Sequence, residues 1–465
     1  MAGITGIGSG MNIDQMVGAL VNAEKAPKEA QLNRLDSATT TKISALGTLR
    51  TSLSSFQTAL KDLNDIKLFE NRSAKSSNTD LLTATASKAA QSGTYSIKVE
   101  QLATGSKTAT AALAGDFKTE AAGALTVKVG DDDEGVSVNI PKDASLSEVR
   151  NALNLALKDS KVTANILTDP RTGEARLVMS SSSTGEGKDV SISTSEGLGA
   201  LKIDAENPAT AEVGGFLEKA QNAKFTIDGL ALQSSTNKVT GAIADVTLNL
   251  ASTSKDKASI VTVAQDAEGV TANIKKFVTA YNNLINTTNS LTRVTKVGED
   301  GTPLTGGLVG DSSVRSILSG IQGELIAVGG QSNVKVLSDL GITTQKDGTL
   351  AINDEKLKAA LDKDFDAVGG FFTGDAGLMT RLNKRVDGFN ESGGILAQRV
   401  SGLEATKSDI KTQREKLALR VESMSTRLYS QFNAMDTLVA QLSNTSSWLE
   451  NTLSSLPGVG KKSGK

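Results

Sequence analysis

The 465-residue chain contains neither cysteine nor histidine. Without cysteine it has no disulfide, no thiolate nucleophile and no cysteine-ligated metal. Without histidine it lacks the commonest general base, the commonest metal ligand and every Ser-His or Cys-His couple. Aromatic residues make up 3% of the sequence, so its cores must be built from aliphatic and small side chains. An excess of charge of one sign is missing too. The 50 Lys and Arg stand against 52 Asp and Glu, a net charge of -2, which gives no field for nucleic acid or an anionic membrane surface. No apolar run approaches the ~18 residues needed to span a bilayer. The opening Met1-Ala-Gly-Ile-Thr-Gly-Ile-Gly-Ser-Gly10 lacks the basic and apolar blocks of a secretory signal, so export would need another route.

What the sequence does have is a long helical pattern at each end. Alternate steps of four and three from Leu396 land on Val400, Leu403, Lys407, Ile410, Arg414, Leu417, Val421, Met424, Leu428, Gln431, Met435, Leu438, Leu442, Thr445 and Leu449, with no Pro or Gly after Gly402. So narrow and long a seam cannot cover itself in an isolated helix and requires a partner helix. The other end supplies one. Leu32, Leu35, Leu46, Leu49, Leu53, Phe56, Leu60 and Leu63 share one register, interrupted by Thr39 and Lys42. The spacing predicts that the two ends meet in a coiled-coil leg carrying the rest of the chain as an insertion. The plainer alternative, core helices of one globular fold, fits a sustained heptad run less well. Leg or oligomer contacts are expected from Leu46, Leu49, Leu53, Phe56, Leu60 and Leu63, and from Leu403, Ile410, Leu417, Val421, Met424, Leu428, Met435, Leu438 and Leu442. Lys407, Arg414 and Gln431 occupy seam positions where Leu would be more stable. Buried polar seam residues fix register or partner number at a cost in stability, which points to an assembly larger than a dry helix pair.

Between the ends the periodicity changes. Asn12 and Gln15 form a capping pair for a short helix with Ile13, Met16, Val17, Leu20 and Val21 on its apolar face, and Pro27 marks a break or a new helix start. The pattern dissolves over 68–79. Tyr95, Ile97 and Val99 then alternate as a half-buried strand. Leu125, Val127 and Val129 with Val136, Val138 and Ile140 describe a hairpin, and Leu146, Val149, Leu153 and Leu157 a helix. Val162, Ala164 and Ile166 with Leu177 and Met179 describe a second hairpin, which completes a β-β-α-β-β unit. Phe225 and Ile227 lead through an Asp228-Gly229 turn to Leu230 and Leu232, and Val246, Leu248 and Leu250 alternate again. From about Val263 helices return, with Val270, Ile274, Phe277, Val278, Tyr281, Leu284 and Ile285 on one face.

The expected fold class is therefore multidomain α+β, with long terminal helices pairing as a coiled-coil leg, a mixed helical leg domain and inserted, mainly-β head domains. The expected divisions are an amino-terminal tail and start of the coiled coil at 1–40; a helical leg domain at 41–75 plus 265–400; a β head at 76–120 plus 209–264; an inserted β-rich head at 121–208; and a carboxy-terminal helix and tail at 401–465.

No catalytic, cofactor or metal residues are expected. The consecutive carboxylates Asp131-Asp-Asp-Glu134 lack the alternate spacing of a calcium loop and read as a solvated hairpin tip. Ser252-x-x-Lys255 and Ser235-x-x-Lys238 have the spacing of a Ser-Lys nucleophile pair but none of its accompanying elements. Gly6-Ile-Gly8-Ser-Gly10 follows no strand and is not a dinucleotide fingerprint.

Several stretches together resemble the flagellar hook-associated protein 2 family, the filament-cap proteins. They are Gly8-Ser-Gly-Met-Asn-Ile-Asp14 with Leu20-Val-Asn-Ala-Glu-Lys-Ala-Pro27; Gly93-Thr-Tyr-Ser-Ile-Lys-Val-Glu-Gln-Leu-Ala103; Ala223-Lys-Phe-Thr-Ile-Asp-Gly229 with Ser235-Thr-Asn237 and Val246-Thr-Leu-Asn-Leu250; and Gly310-Asp311, Leu340-Gly-Ile342 and Gly348-Thr-Leu-Ala-Ile-Asn353. Val136 to Ile192 is similar to an insertion module shared with flagellins and hook proteins. Asn353 stands where the family more often has Asp, which bears on a turn.

The resemblance implies a homo-oligomeric ring at the filament tip, exported unfolded through the flagellar secretion channel. Its head domains would close the tip, its legs would dock on flagellin, and exported flagellin would fold and insert beneath it. It also implies hook-filament junction proteins and a cytoplasmic export chaperone at the carboxy-terminal helix as partners, with no nucleic acid and no membrane insertion. Lack of cysteine suits a chain threaded unfolded through a narrow channel. Two other readings stand beside this one: a surface adhesin whose β head binds host mucin or glycans, and a carboxylate-based peptidase or muramidase, which no paired-carboxylate context supports.

Overall fold

The computed structural model describes residues 10–131, 133–255, 257–295, 303–329 and 333–455. The glycine-rich start before Gly10, Asp132 of the carboxylate run, residues 256, 296–302 and 330–332, and the tail beyond Ser455 lie outside the described residues. Two compact units form: one joins both ends of the chain, up to Ile66 and from Glu268 onward, and the other is Lys67–Ala267.

In chain order, α1 (Ile13–Leu63) and α2 (Ile66–Glu70) precede β1 (Arg72–Ser76), β2 (Leu82–Ala86), β3 (Gly93–Gln101), β4 (Gly105–Ala109), β5 (Gly123–Val129) and β6 (Val136–Ile140). After α3 (Leu146–Ala156) come β7 (Val162–Thr168), β8 (Ala175–Thr184), β9 (Val190–Thr194), β10 (Gly215–Glu218), β11 (Ala223–Ile227), β12 (Leu230–Ser234), β13 (Lys238–Ile243), β14 (Val246–Leu250) and β15 (Ser259–Gln265). Helices then return as α4 (Ala267–Thr292), α5 (Ser312–Ile326), α6 (Asp354–Lys363), α7 (Phe365–Phe372), α8 (Leu378–Asn390) and α9 (Ile395–Ser455). Two short ladders lie among them, β16 (Val294–Thr295) with β17 (Leu304–Thr305) and β18 (Ile342–Thr344) with β19 (Leu350–Ile352).

The unit made by the chain ends is helical. Asn12 caps α1 by accepting from the Gln15 amide, as its sequence spacing predicts. Pro27 does not break the helix. Both Pro27 and Ala23, whose carbonyl loses its donor, are exposed, so water can replace the missing bond. The inner half of α1 buries Leu46, Leu49, Leu53, Phe56, Leu60 and Leu63 almost completely, each worth about 1.5–3 kcal/mol. Helices other than α9 take part in this burial. Phe56 meets Phe277 and Tyr281 of α4 at ring-centroid distances of 6.0 and 6.1 Å, and Gln57 bonds Asp387 and Asn390 of α8. Around Phe56 and Gln57, α1 thus packs in a multi-helix core. The reason is register: Asn390, which precedes α9, already lies against Ser54 and Gln57. Asn353, read as a turn residue, accepts from the Lys356 amide and caps α6.

The Lys67–Ala267 unit holds two β cores. One lies between the sheet β1-β15-β3-β11-β12 and the sheet β13-β14-β2, and is filled by Leu82, Ile97, Val99, Phe225, Leu248 and Val261 among others. The other lies between β10-β4-β8-β7, β6-β5-β9 and α3, around Leu125, Val149, Leu153, Leu177 and Ile192. Both expected hairpins form, β5 with β6 and β7 with β8, but they enter different sheets. The edges expected for the inserted head, 121 and 208, cut its sheet, because β4 and β10 lie outside them and pair in the ladder that contains β8. Two short polar strands, β1 and β4, carry no alternating signal and are held by their partners instead. Around Val263, where helix was expected, Ser259–Gln265 is a strand with Val261 and Val263 buried.

Candidate assembly surface

The outer half of α1 lies antiparallel along α9. Asp14 is hydrogen-bonded to the Tyr429 hydroxyl, which, ahead of the Tyr429 side chain's partial desolvation, pushes that phenol's pKa up. Glu24 meets Arg420 at 2.6 Å, and Arg414 donates to Asn33 at 2.8 Å and pairs with Asp36 at 3.1 Å. Apolar burial on this half of α1 is confined to Ile13, Val17 and Leu32. Between Val17 and Leu32 no α1 residue is fully buried; Glu24 pairs with Arg420 there, and Val21 of α1 is half-buried. Thr39, which interrupts the heptad pattern, is buried and bonds back to the Leu35 carbonyl at 2.7 Å, whereas Leu35 is exposed.

On α9 the seam grades from buried to bare. Leu396 and Ile410 are buried; Leu403, Leu417, Val421, Met424 and Leu428 are half-buried. Beyond the Asp14 contact no described part of α1 reaches, and Met435, Leu438 and Leu442 are 39%, 59% and 69% exposed. Leu449 and Leu453 continue the same stripe, also exposed. Exposed apolar positions thus continue the seam from Met435 to Leu453 for about five helical turns, beside a neighbouring face on which Phe432, Asp436, Val439 and Ala440 stay half-buried.

The polar seam positions are not buried within one chain. Lys407, Arg414 and Gln431 are exposed, and only Arg414 meets α1. Gln431 instead lines an open groove on α9 with Leu419, Ser423, Thr426, Arg427 and Ser430. The reason is rotation: the α1-facing side of α9 follows the straight-helix period rather than a strict heptad, so some seam positions drift to its rim.

The base of α9 is fixed by a pair that periodicity does not reveal. Asp311 caps α5 by accepting from the Ser313 and Val314 amides, and both its oxygens receive Arg399 at 2.8 and 2.5 Å. The Arg399 hydrogen bond holds the Asp311 carboxyl below the usual range and raises Arg399 in turn. Glu324 is held below its usual value in the same way by Arg385, with Arg381 adding to it across α5 and α8. Asp311 before Ser-Ser-Val is legible as a helix cap; its partner, 88 positions away, is not. Among the described residues no group of three or more carboxylates could hold a metal ion, and no helix is long and apolar enough to cross a membrane.

Comparison with known proteins fits this geometry. A family model described as the flagellar hook-associated protein 2 N-terminus matches residues 9–106, one for its C-terminus matches 220–444, and the flagellin hook IN motif matches 124–183. The sequence is 47% identical over 472 residues to the A-type flagellar hook-associated protein 2 of Pseudomonas aeruginosa, covering 99% of each chain. It is 33% identical to flagellar hook-associated protein 2 of Escherichia coli K12, covering 96% of each. The crystal structure of the flagellar cap protein FliD D1-D2-D3 domains from Escherichia coli superposes with a TM-score of 0.59 at 31% identity, covering 77% of this chain and 99% of that one.

Proposed function

The chain belongs to the flagellar hook-associated protein 2 family, and we propose that it caps the distal end of the flagellar filament as a ring of identical chains. Its role is structural, and its place is the filament tip, reached by flagellar export. Adding flagellin requires a cap that grips the filament and still moves on after each subunit. The observation that carries this reading is the bare apolar stripe of α9, continuous with the covered seam. We assign it to docking on the terminal helices of flagellin. Its exposed Leu side chains supply attraction, and the stretch between Val17 and Leu32, where α1 buries no side chain fully, keeps the α1–α9 pairing weak enough to rearrange.

The α1–α9 pair and the helices at its base serve as the leg, and Lys67–Ala267 as the head that closes the tip. Before assembly the same exposed stripe is the natural seat of a cytoplasmic export chaperone, and at the hook it meets the junction proteins on which the first cap sits. Neither the relatives nor the geometry of the β-rich unit favours adhesion to host glycans.

Complementation of a capless, non-motile strain tests the proposal. The full chain should restore filaments, and a chain ending at Gly394 should leave flagellin monomer in the medium. A full chain carrying Leu438→Lys and Leu442→Lys, both at exposed sites, should behave like the truncation. Restoration of filaments by the Lys variant would remove the stripe from the mechanism.

A further inference from the structure

Sheet edges are dangerous in a soluble protein, because a row of unpaired N–H and C=O groups accepts any passing strand. The four sheets of the Lys67–Ala267 unit have eight edge strands, several of them closed by local bonds. On β7 the outward amides of Val162, Ala164 and Ile166 are taken by the side chains of Ser160 (3.2 Å), Asn154 (2.8 Å) and Asn165 (2.8 Å), and Asn154 also donates to the Ala164 carbonyl at 2.9 Å. Edge β9 is covered by Ser106, which accepts from Val190, and by a reciprocal pair between Ile192 and Ile203. Edge β10 is covered by Asn207 and Ala209, which bond Phe216. On β13, Thr236 donates to the Lys238 carbonyl and a bulge follows Thr240.

Edges β1 and β2 lie side by side, with Ala74, Ala84 and Ala86 half-buried against the core between their sheets. Two edges, β12 and β6, are left open with exposed, uncharged outward residues. The hairpin β11–β12 has two turn residues, Asp228 and Gly229, both at positive φ. Such a turn makes Ile227 and Leu230 a hydrogen-bonded pair, so the backbone groups of Ala231 and Gln233 point away from the sheet. In the other sheet, the Ser195 amide bonds the Ala124 carbonyl and the Gly130 amide bonds Asp189. Even-numbered residues of β5 therefore face β9 and odd-numbered ones face β6. With Leu125 opposite Val138 and Val127 opposite Val136, the groups of Ser137 and Asn139 point outward. All four residues are exposed, and among the described residues none of these outward groups has a partner. Neither strand carries a charge, a proline or a bulge: they read Leu-Ala-Leu-Gln-Ser and Val-Ser-Val-Asn-Ile.

We propose that β12 of one copy pairs edge to edge with β6 of the next, so that each copy joins a neighbour on either side through a short intermolecular sheet. This rests on the reading of the chain as a ring. The occupant is a second copy because a head-to-tail ring needs two different, mutually complementary patches on every subunit. This chain leaves open two unlike edges of matched length, each two outward residues long. Two residues a side offer up to four hydrogen bonds, each worth about 0.5–1.5 kcal/mol net. That is a contact short enough to open and re-form while the cap moves, and it is specific through register. The closed edges elsewhere keep the heads from pairing in other ways.

Amide exchange on the full chain, compared between dilute and assembled samples, tests this directly. The Ala231, Gln233, Ser137 and Asn139 amides should exchange fast when dilute and slow at least about tenfold on assembly, while Leu232 and Val138 stay protected in both. Ala231→Pro, which removes an outward donor, should raise the concentration at half-assembly at least about tenfold. Because proline could disturb the strand itself, a charge series accompanies it. Gln233→Lys with Asn139→Lys should weaken assembly, and Gln233→Lys with Asn139→Glu should restore it. Assembly with these amides still unprotected overturns the pairing and leaves the ring intact. Protection that comes only on adding flagellin gives the edges to flagellin and overturns it as well. A wild-type chain that stays monomeric at every concentration removes the ring and the pairing together.

Discussion

Replacing Asp311 by Ala should loosen the base of α9. Asp311 does two things at once. Its cap on α5 is worth about 1 kcal/mol. Its paired bonds to Arg399 are charge-assisted, a class worth about 1.5–3 kcal/mol, but the Arg399 side chain is 36% exposed, which brings the pair down toward the ~1 kcal/mol of surface ion pairs. Together they give about 2 kcal/mol for Asp311→Ala, and about half of that for Asp311→Asn, which keeps the capping oxygen.

The sign with pH follows from the direction of the shift. Arg399 holds the Asp311 carboxyl below the usual range, so this stabilisation is complete above the ordinary carboxylate pKa and is lost as pH falls through the lowered one. Amide exchange across Ser312–Ile326 and the first turns of α9 is the assay. Exchange in both should rise by about tenfold or more in Asp311→Ala. The gap between wild type and Asp311→Asn should persist at neutral pH and shrink below about pH 4. Equal exchange in the Ala and Asn variants, or a gap unchanged at low pH, would refute the double role.

Two further perturbations separate core from seam. Leu53→Ala, at a fully buried position of α1, should cost about 2–5 kcal/mol, seen as a lower urea midpoint for the helical signal; a loss under about 1 kcal/mol would show that the multi-helix core does not enclose it. Lys407→Leu with Arg414→Leu removes the Arg414 bonds to Asn33 and Asp36 and makes two polar seam positions apolar. The leg should stiffen, with swimming reduced and ring stoichiometry altered; normal swimming by a ring of unchanged size would show that the polar positions are incidental.

Periodicity located the long elements because burial against a neighbour leaves a stripe that survives in the sequence. That is why α4 buries all seven residues its pattern picks out, from Val270 to Ile285. It failed where a strand is held by its partners rather than by its own apolar face, as in β1 and β4. It also misjudged Thr39, whose hydroxyl satisfies itself on the Leu35 carbonyl and so can be buried at a position that looks like an interruption. At the assembly surface the apolar members of the α9 seam were legible, but not which of them are covered.

The sequence alone determined that this chain works without cysteine or histidine chemistry, that its two ends are long helices, and that strands lie between them. These follow from composition and local repeat, which need no knowledge of what packs where. Only the tertiary structure decided that Phe56 meets the rings of α4, that Met435, Leu438 and Leu442 are exposed, that Asp311 finds Arg399, and that β12 and β6 are the strands left open. Each of those depends on register between segments far apart in the chain, and a repeat within one segment carries no record of its offset against another.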